Sequence, residues 1–136
     1  MRSVLLDSEA VTALADPAHH KHRVVLAHLA GVVARRRRGA ATRVVVATAV
    51  RVEAGWDRSE PGVAAINRYR VADASLDGTA ANLAAGIVNR TGVSVADAHT
   101  GAVIRSLDGD EIVVLTSEPP DMVRVSTPQP IIVIRV

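Results

Sequence analysis

A chain of 136 residues is long enough for one domain with a sizeable core and too short for two. Hydrophobic residues supply 49% of it, which excludes a disordered chain, and the lack of cysteine excludes disulfides and thiolate metal sites. Sixteen basic residues against fourteen acidic ones leave a net charge of +2, which permits a polyanionic partner without requiring one.

The apolar residues are almost all Ala, Val, Leu and Ile. Phe is absent, and Trp56 and Tyr69 are the only aromatics. The core must therefore be built from small aliphatic side chains, and the stacking platforms used by single-strand binders are missing. The longest apolar runs are of strand length, and no charged-then-apolar signal segment opens the chain. A cytoplasmic protein without membrane contact is expected.

Arg2 to Leu6 reads as a short buried strand, because Val4, Leu5 and Leu6 are consecutive. It ends at Asp7-Ser8, and Ser8 to Ala15 reads as a helix with Ala10, Val11 and Leu14 at helical spacing. Asp7 then lies at the C-terminal edge of a strand, where open α/β sheets bind ligands; Asp is also a favoured N-cap. Asp16-Pro17 breaks the chain, and a second helix is expected from Pro17 to about Arg37, with Val25, Leu26, Leu29, Val32 and Val33 on one face. His19, His20 and His22 read as a solvated helix end rather than a metal site, and His28 as a boundary residue. Arg35 to Arg38 then places a run of positive charge at the helix C-terminus, ahead of Gly39. These arginines complement the helix dipole and also suit phosphates.

Arg43 to Ala47 reads as a second buried strand, and Thr48 as the N-cap of a helix running to about Asp57. That helix carries Glu53 between Val52 and Ala54, facing either solvent or a polar site. After a break at Glu60-Pro61-Gly62, a short helix is expected over Val63 to Arg68 and a third strand over Tyr69 to Ala74. Asp77-Gly78 turns the chain into a small-residue helix from Thr79 to Asn89, which Thr91-Gly92 ends. Gly86 inside it costs about 1 kcal/mol relative to Ala unless it permits a close helix crossing.

Ser94, followed three residues later by Asp97, has the form of a capping box opening a helix to about Ser106. Asp97 is thus either a cap or, among small neighbours that allow close packing, part of a polar site. Glu111 to Thr116 reads as a fourth strand, and its unbroken apolar run Ile112 to Leu115 is typical of a central parallel strand. It leads into Thr116-Ser117-Glu118-Pro119-Pro120-Asp121 and a turn or two of helix over Met122 to Val125. Ile131 to Val136 closes the chain as an edge strand with Pro130 at its start. The alternation predicts an α/β fold, a three-layer α/β/α sandwich with a mostly parallel central sheet, as one domain over residues 1–136.

The chain contains no glycine-rich phosphate loop and no GxSxG elbow. What remains is carboxylate chemistry. Asp7, Glu53, Asp97 and Glu118 come from four separate elements, and if they meet they form an oxygen site for a hard divalent cation such as Mg²⁺ or Mn²⁺. Such a cluster repels itself unless a cation fills it or some acids stay protonated. A cation held there can polarise a phosphoryl oxygen and generate hydroxide.

Leu6-Asp7-Ser8-Glu9-Ala10, the Glu53 helix, Val95-Ala96-Asp97-Ala98-His99 and Leu115-Thr116-Ser117-Glu118-Pro119 together resemble a PIN domain, and more closely the VapC-type toxins of bacterial toxin–antitoxin systems. The resemblance runs over the whole chain. It implies an α/β/α sandwich that cleaves RNA with Mg²⁺ or Mn²⁺, a cognate antitoxin that blocks the site, and a homodimer. Its four acids would be Asp7, Glu53, Asp97 and Glu118, with Thr116 as a supporting hydroxyl. The family usually has Asp where Glu118 stands, and Asp121 is a possible substitute for it. Arg51 and Arg105 are candidates for holding an RNA backbone. The alternative is a PIN-like binding or regulatory protein with weak or no turnover.

Overall fold

The computed structural model describes residues 1–60 and 64–136. Its strands β1 (Arg2–Leu6), β2 (Thr42–Ala47), β3 (Val71–Ala74), β4 (Glu111–Thr116) and β5 (Ile132–Arg135) form one sheet in the order β3-β2-β1-β4-β5. The predicted sheet was mostly parallel; every adjacent pair is parallel. Val4 pairs with Val44 on one side and Val113 on the other, so the three apolar runs stack across the middle of the sheet. These strands show no polar alternation because helices cover both of their faces.

The helices are α1 (Ser8–Ala15), α2 (His22–Arg37), α3 (Thr48–Glu53), α4 (Ala64–Asn67), α5 (Gly78–Thr91), α6 (Val95–Ser106) and α7 (Pro119–Ser126). The chain steps from β1 to β2 to β3 in one direction, then returns across the sheet to β4 and β5. Right-handed crossovers therefore put α1 and α2 on one face and α5, α6 and α7 on the other. The packing of α1 on β1, α2 on β2, α6 on β2 and α7 on β4 and β5 agrees. The α/β/α sandwich expected from the sequence is the fold.

Several boundaries differ for local reasons. Helix α2 starts at His22 rather than Pro17, because the Asp16 carboxylate takes the Ala18 N–H at 2.9 Å and the His19 ring takes the Lys21 N–H at 3.0 Å, which holds the segment in turns. Helix α3 stops at Glu53 rather than Asp57, since Gly55 is left-handed (φ 66°) and the Trp56 N–H returns to the Arg51 carbonyl at 2.8 Å. Thr48 lies inside α3; its hydroxyl instead accepts the Leu76 N–H at 3.1 Å. Strand β3 begins at Val71 because Arg70 has φ 53°. Helix α7 is a full eight residues, not a turn or two. The expected break at Pro61-Gly62 and the first residue of the Val63–Arg68 helix lie outside the described residues.

The close helix crossing occurs at Gly101, not Gly86. A Cβ on Gly101 would stand 2.8 Å from the Val125 carbonyl oxygen and 2.9 Å from Ile87 Cδ1, whereas one on Gly86 meets nothing within 4 Å. Gly101 is thus the contact where α6 nests against α5 and α7. Gly101→Ala is expected to destabilise by about 1–2 kcal/mol, the overpacking cost exceeding the gain in helix propensity. Gly86→Ala is expected to stabilise by about 0.5–1 kcal/mol. Urea denaturation of the two variants checks both signs.

Candidate functional site

The sheet order reverses direction between β1 and β4, so the ends of these adjacent strands form a topological switch point, the crevice where open α/β sheets bind ligands. Asp7 follows β1 there and is buried. One carboxylate oxygen accepts the Ala10 N–H at 2.8 Å, capping α1; the other accepts the Ser117 N–H at 2.9 Å, just beyond β4. Both readings of Asp7 hold at once: it is a helix cap, and it stands at the C-terminal edge of the sheet.

Glu53, the last residue of α3, is exposed, and its carboxylate accepts a hydrogen bond from the Ser8 hydroxyl. That bond draws it to the residue next to Asp7. Asp97 lies in the first turn of α6, where its N–H donates to the Ser94 hydroxyl at 3.1 Å. Burial pushes the Asp97 carboxyl up to about 6, and the charges of Asp121, Glu53 and Asp7 push in the same direction, with the Ser94 hydroxyl opposing.

Asp121 sits in the first turn of α7, paired with Arg124 at 3.2 Å. Glu118 is the exposed N-cap of that helix and is not among the charges that act on Asp97. Thr116 is fully buried, and its hydroxyl accepts the Glu118 N–H at 2.9 Å, fixing the turn out of β4. The acids whose charges act on Asp97 are therefore Asp121, Glu53 and Asp7.

These side chains face one crevice without closing on a common point: among the described residues, no group of three or more His, Asp or Glu is close enough to hold a metal ion. The donors nevertheless suit a hard divalent cation. All are carboxylate oxygens, each Asp7 oxygen keeps a lone pair beyond its backbone bond, and a cation would relieve the repulsion felt at Asp97.

His99 carries a role that its sequence position did not announce. It is fully buried, its Nδ1 accepts the Ala49 N–H at 3.2 Å, and burial pushes its pKa down. A ring that accepts at Nδ1 is the neutral tautomer with its proton on Nε2, and the Ser75 backbone partly opposes the effect of burial. It pins the start of α3, which bears Glu53, to α6, which bears Asp97. The only signal for it was a polar residue two positions after Asp97 on the same helix.

The two arginines read as backbone holders are engaged elsewhere. Arg51 pairs with Asp73 at 2.7 Å and lies over the Trp56 ring, which Arg58 also covers. Arg105 is eight residues beyond Asp97 on α6, about 12 Å along the axis, and donates to the Thr127 carbonyl.

No protein-family model matches the chain, and no curated protein matches it. Solved structures share its fold, two of them in complexes bound to DNA. One is VapBC2 from Rickettsia felis bound to a DNA fragment from their promoter, with TM-score 0.56 and 9% identity over 98% of each chain. The other is FitAB bound to the IR36 DNA fragment, with TM-score 0.55 and 15% identity over 97% of this chain and 94% of that one. The assignment to VapC-type toxins drawn from the sequence is corrected by these findings. The likeness is to chains of two-component complexes, at an identity that carries the backbone path and not a family, so PIN-like describes the fold alone. No helix among the described residues is long and apolar enough to cross a membrane.

Because the Asp97 carboxyl is raised from 3.8 to about 6, the folded state binds its proton more tightly than the unfolded chain. Stability therefore falls as pH rises through that window, and the penalty is fully present above it. Asp97→Asn is expected to raise the melting temperature at pH 7.5 by a few degrees, about 4 °C after allowance for its partial exposure. The gain should vanish at pH 3.5. Thermal unfolding at the two pH values, in EDTA, checks this.

Proposed function

We propose that the chain is a metal-dependent endoribonuclease that works in a toxin–antitoxin setting, its site formed by Asp7, Glu53, Asp97 and an acid from the turn after β4. The observation that carries this reading is that Asp121, Glu53 and Asp7 stand near enough for their charges to act on Asp97, beside the switch point of a parallel sheet. A cluster of like charges costs stability, and the chemistry that makes use of it is cation binding. The setting draws support from the fold neighbours, VapBC2 and FitAB, which are toxin–antitoxin complexes. In this reading the partners are an RNA substrate, a cognate antitoxin that blocks the site and a second copy in a homodimer.

Mg²⁺ or Mn²⁺, when bound, supplies a Lewis acid for the phosphoryl oxygen and lowers the pKa of a water. Asp7 is held by two backbone N–H groups, so it presents its remaining lone pairs in a fixed direction. The Ser8 hydroxyl orients Glu53 toward the same crevice. Burial and the neighbouring charges raise the proton affinity of Asp97, which suits it to take a proton from the attacking water near neutral pH.

A second reading, a PIN-like binding protein without turnover, is favoured by one observation. The acids are not drawn into a ready-made ligand set, and Glu118 is turned to solvent. The two readings part on a cleavage assay. A panel of structured RNAs, with DNA of the same sequences, is incubated with Mg²⁺, Mn²⁺ or EDTA. The nuclease reading expects metal-dependent RNA cleavage that Asp97→Ala abolishes. Asp121→Asn is expected to lose about 10–100-fold, and Glu118→Gln less than about threefold. Calorimetric Mn²⁺ binding follows the same order. Full cleavage by Asp97→Ala contradicts the site, and metal binding without cleavage supports the binding-protein reading.

A further inference from the structure

A second concavity lies away from the acids, between α2 and the sheet. It has a volume of about 300 Å³, at the lower end of the range for small-molecule pockets. Its floor is apolar: Val4 of β1, Val113 and Leu115 of β4 and Ile134 of β5. Leu115 and Ile134 are register partners, as are Val113 and Ile132, and Ile132 extends this strip to the open edge of the sheet. Helix α2 forms the wall with His28, Gly31 and Val32.

The concavity has a charged end and an apolar end. Arg2, Arg35 and Arg38 line it, and all three gather at the N-terminal edge of the sheet. Arg2 is in register with Thr42, and the Arg35 Nε lies 3.4 Å from the Thr42 hydroxyl. Among the described residues no carboxylate lines the space. The nearest counter-charge is Glu111, 3.7 Å from Arg2, while Arg35 and Arg38 form no ion pair among the described residues. Arg36, by contrast, is tied to the carbonyls of Thr42 and Tyr69 at 3.0 and 2.8 Å. Toward the other end the lining is Leu115 and Ile134 with no cation beside them.

Gly31 adds an independent observation. It lies inside α2, where glycine costs about 1 kcal/mol relative to alanine, yet a Cβ there would meet nothing within 4 Å. Neither backbone conformation nor helix packing requires it. Its effect is to widen the wall of the groove.

We propose that this groove binds an amphipathic anion, an aliphatic chain carrying a single carboxylate. The chain lies on Val4, Val113, Leu115 and Ile134, and the carboxylate meets Arg35 and Arg38, with Arg2 shared with Glu111. Guanidinium groups suit a carboxylate by charge and by their paired donors. The limited volume and the gathering of cations at one end favour a small amphiphile over a protein segment, which would present charge along its length. The site is independent of the nuclease reading, because its arginines lie at the opposite edge of the sheet from Asp7 and none of the acids lines it among the described residues.

The test is a titration of isotope-labelled protein with sodium decanoate, followed by amide chemical shifts. The expected shifts fall on Gly31, Arg35, Val113 and Ile134 and spare Asp7 and Asp97. Acetate, which lacks the chain, and octanol, which lacks the charge, are expected to bind at least about tenfold more weakly. Arg35→Gln combined with Arg38→Gln should weaken decanoate about tenfold, and Gly31→Leu should block it while the fold is kept. Three results overturn the proposal: shifts scattered outside the groove, octanol binding as well as decanoate, or the arginine variant binding as tightly as the unaltered chain. A fourth does so too. If a short peptide of alternating leucine and glutamate occupies the groove and decanoate does not, the surface serves a protein partner instead.

Discussion

The structure depends on one carboxylate held by two backbone N–H groups. Asp7 ties the first turn of α1 to the residue that leaves β4, and its own N–H continues the ladder to the Leu115 carbonyl at 3.1 Å. Hydrogen bonds to a charged group contribute about 1.5–3 kcal/mol each, and losing this one would leave two N–H groups unsatisfied at the centre of the fold. The same atoms open the crevice. Fold and site are therefore inseparable at Asp7, and a change there cannot report on chemistry alone. Asp97 and Asp121 sit in helical first turns and carry no comparable structural bond, which is why they are the informative positions.

The acids repel one another, and the architecture offsets part of that repulsion. In an α/β sandwich with a parallel sheet, helices begin at the C-terminal edge of the strands. Asp7 caps α1, Asp97 is in the first turn of α6 and Asp121 in the first turn of α7. Each carboxylate thus meets the positive end of a helix dipole, worth about 0.3–1 kcal/mol apiece at partly exposed positions. Glu53 is the exception, at the unfavourable end of α3. It relies on the Ser8 hydroxyl, and α3 itself is anchored to α6 through the His99 ring.

The central strands and the acids after them were legible because consecutive Val, Leu and Ile admit few arrangements other than a doubly covered strand. Asp7 and Asp97 could be read from their positions after a strand and within a capping motif. The choice between Glu118 and Asp121 was not legible, since it depends on where α7 begins. With Pro119 at the first helical position, residue 118 becomes an outward cap and residue 121 falls in the first turn. Gly86 and Gly101 look alike in sequence, both small residues in helices, and only the packing of α6 against α5 and α7 separates them. The role of His99 rests on a contact across fifty positions, which no local pattern carries. The likeness to VapC-type toxins over-reached for a related reason: strand and helix order specify a fold, and many sequences share one.

The net charge of +2 conceals a strongly divided surface. The last turns of α2, α3, α5, α6 and α7 all carry arginine, and the longest such run, Arg35 to Arg38, stands with Arg2 at the N-terminal edge of the sheet. Acids gather at helix starts and arginines at helix ends, as the dipoles favour. Because parallel topology sends most starts to one edge, the same rule that stabilises each helix sorts charge across the molecule. A polyanion would be attracted to the edge away from the acids and repelled at the crevice unless cations were bound there. Charge arithmetic alone therefore says little about partners. The distribution sets carboxylates at one edge of the sheet and arginines at the other.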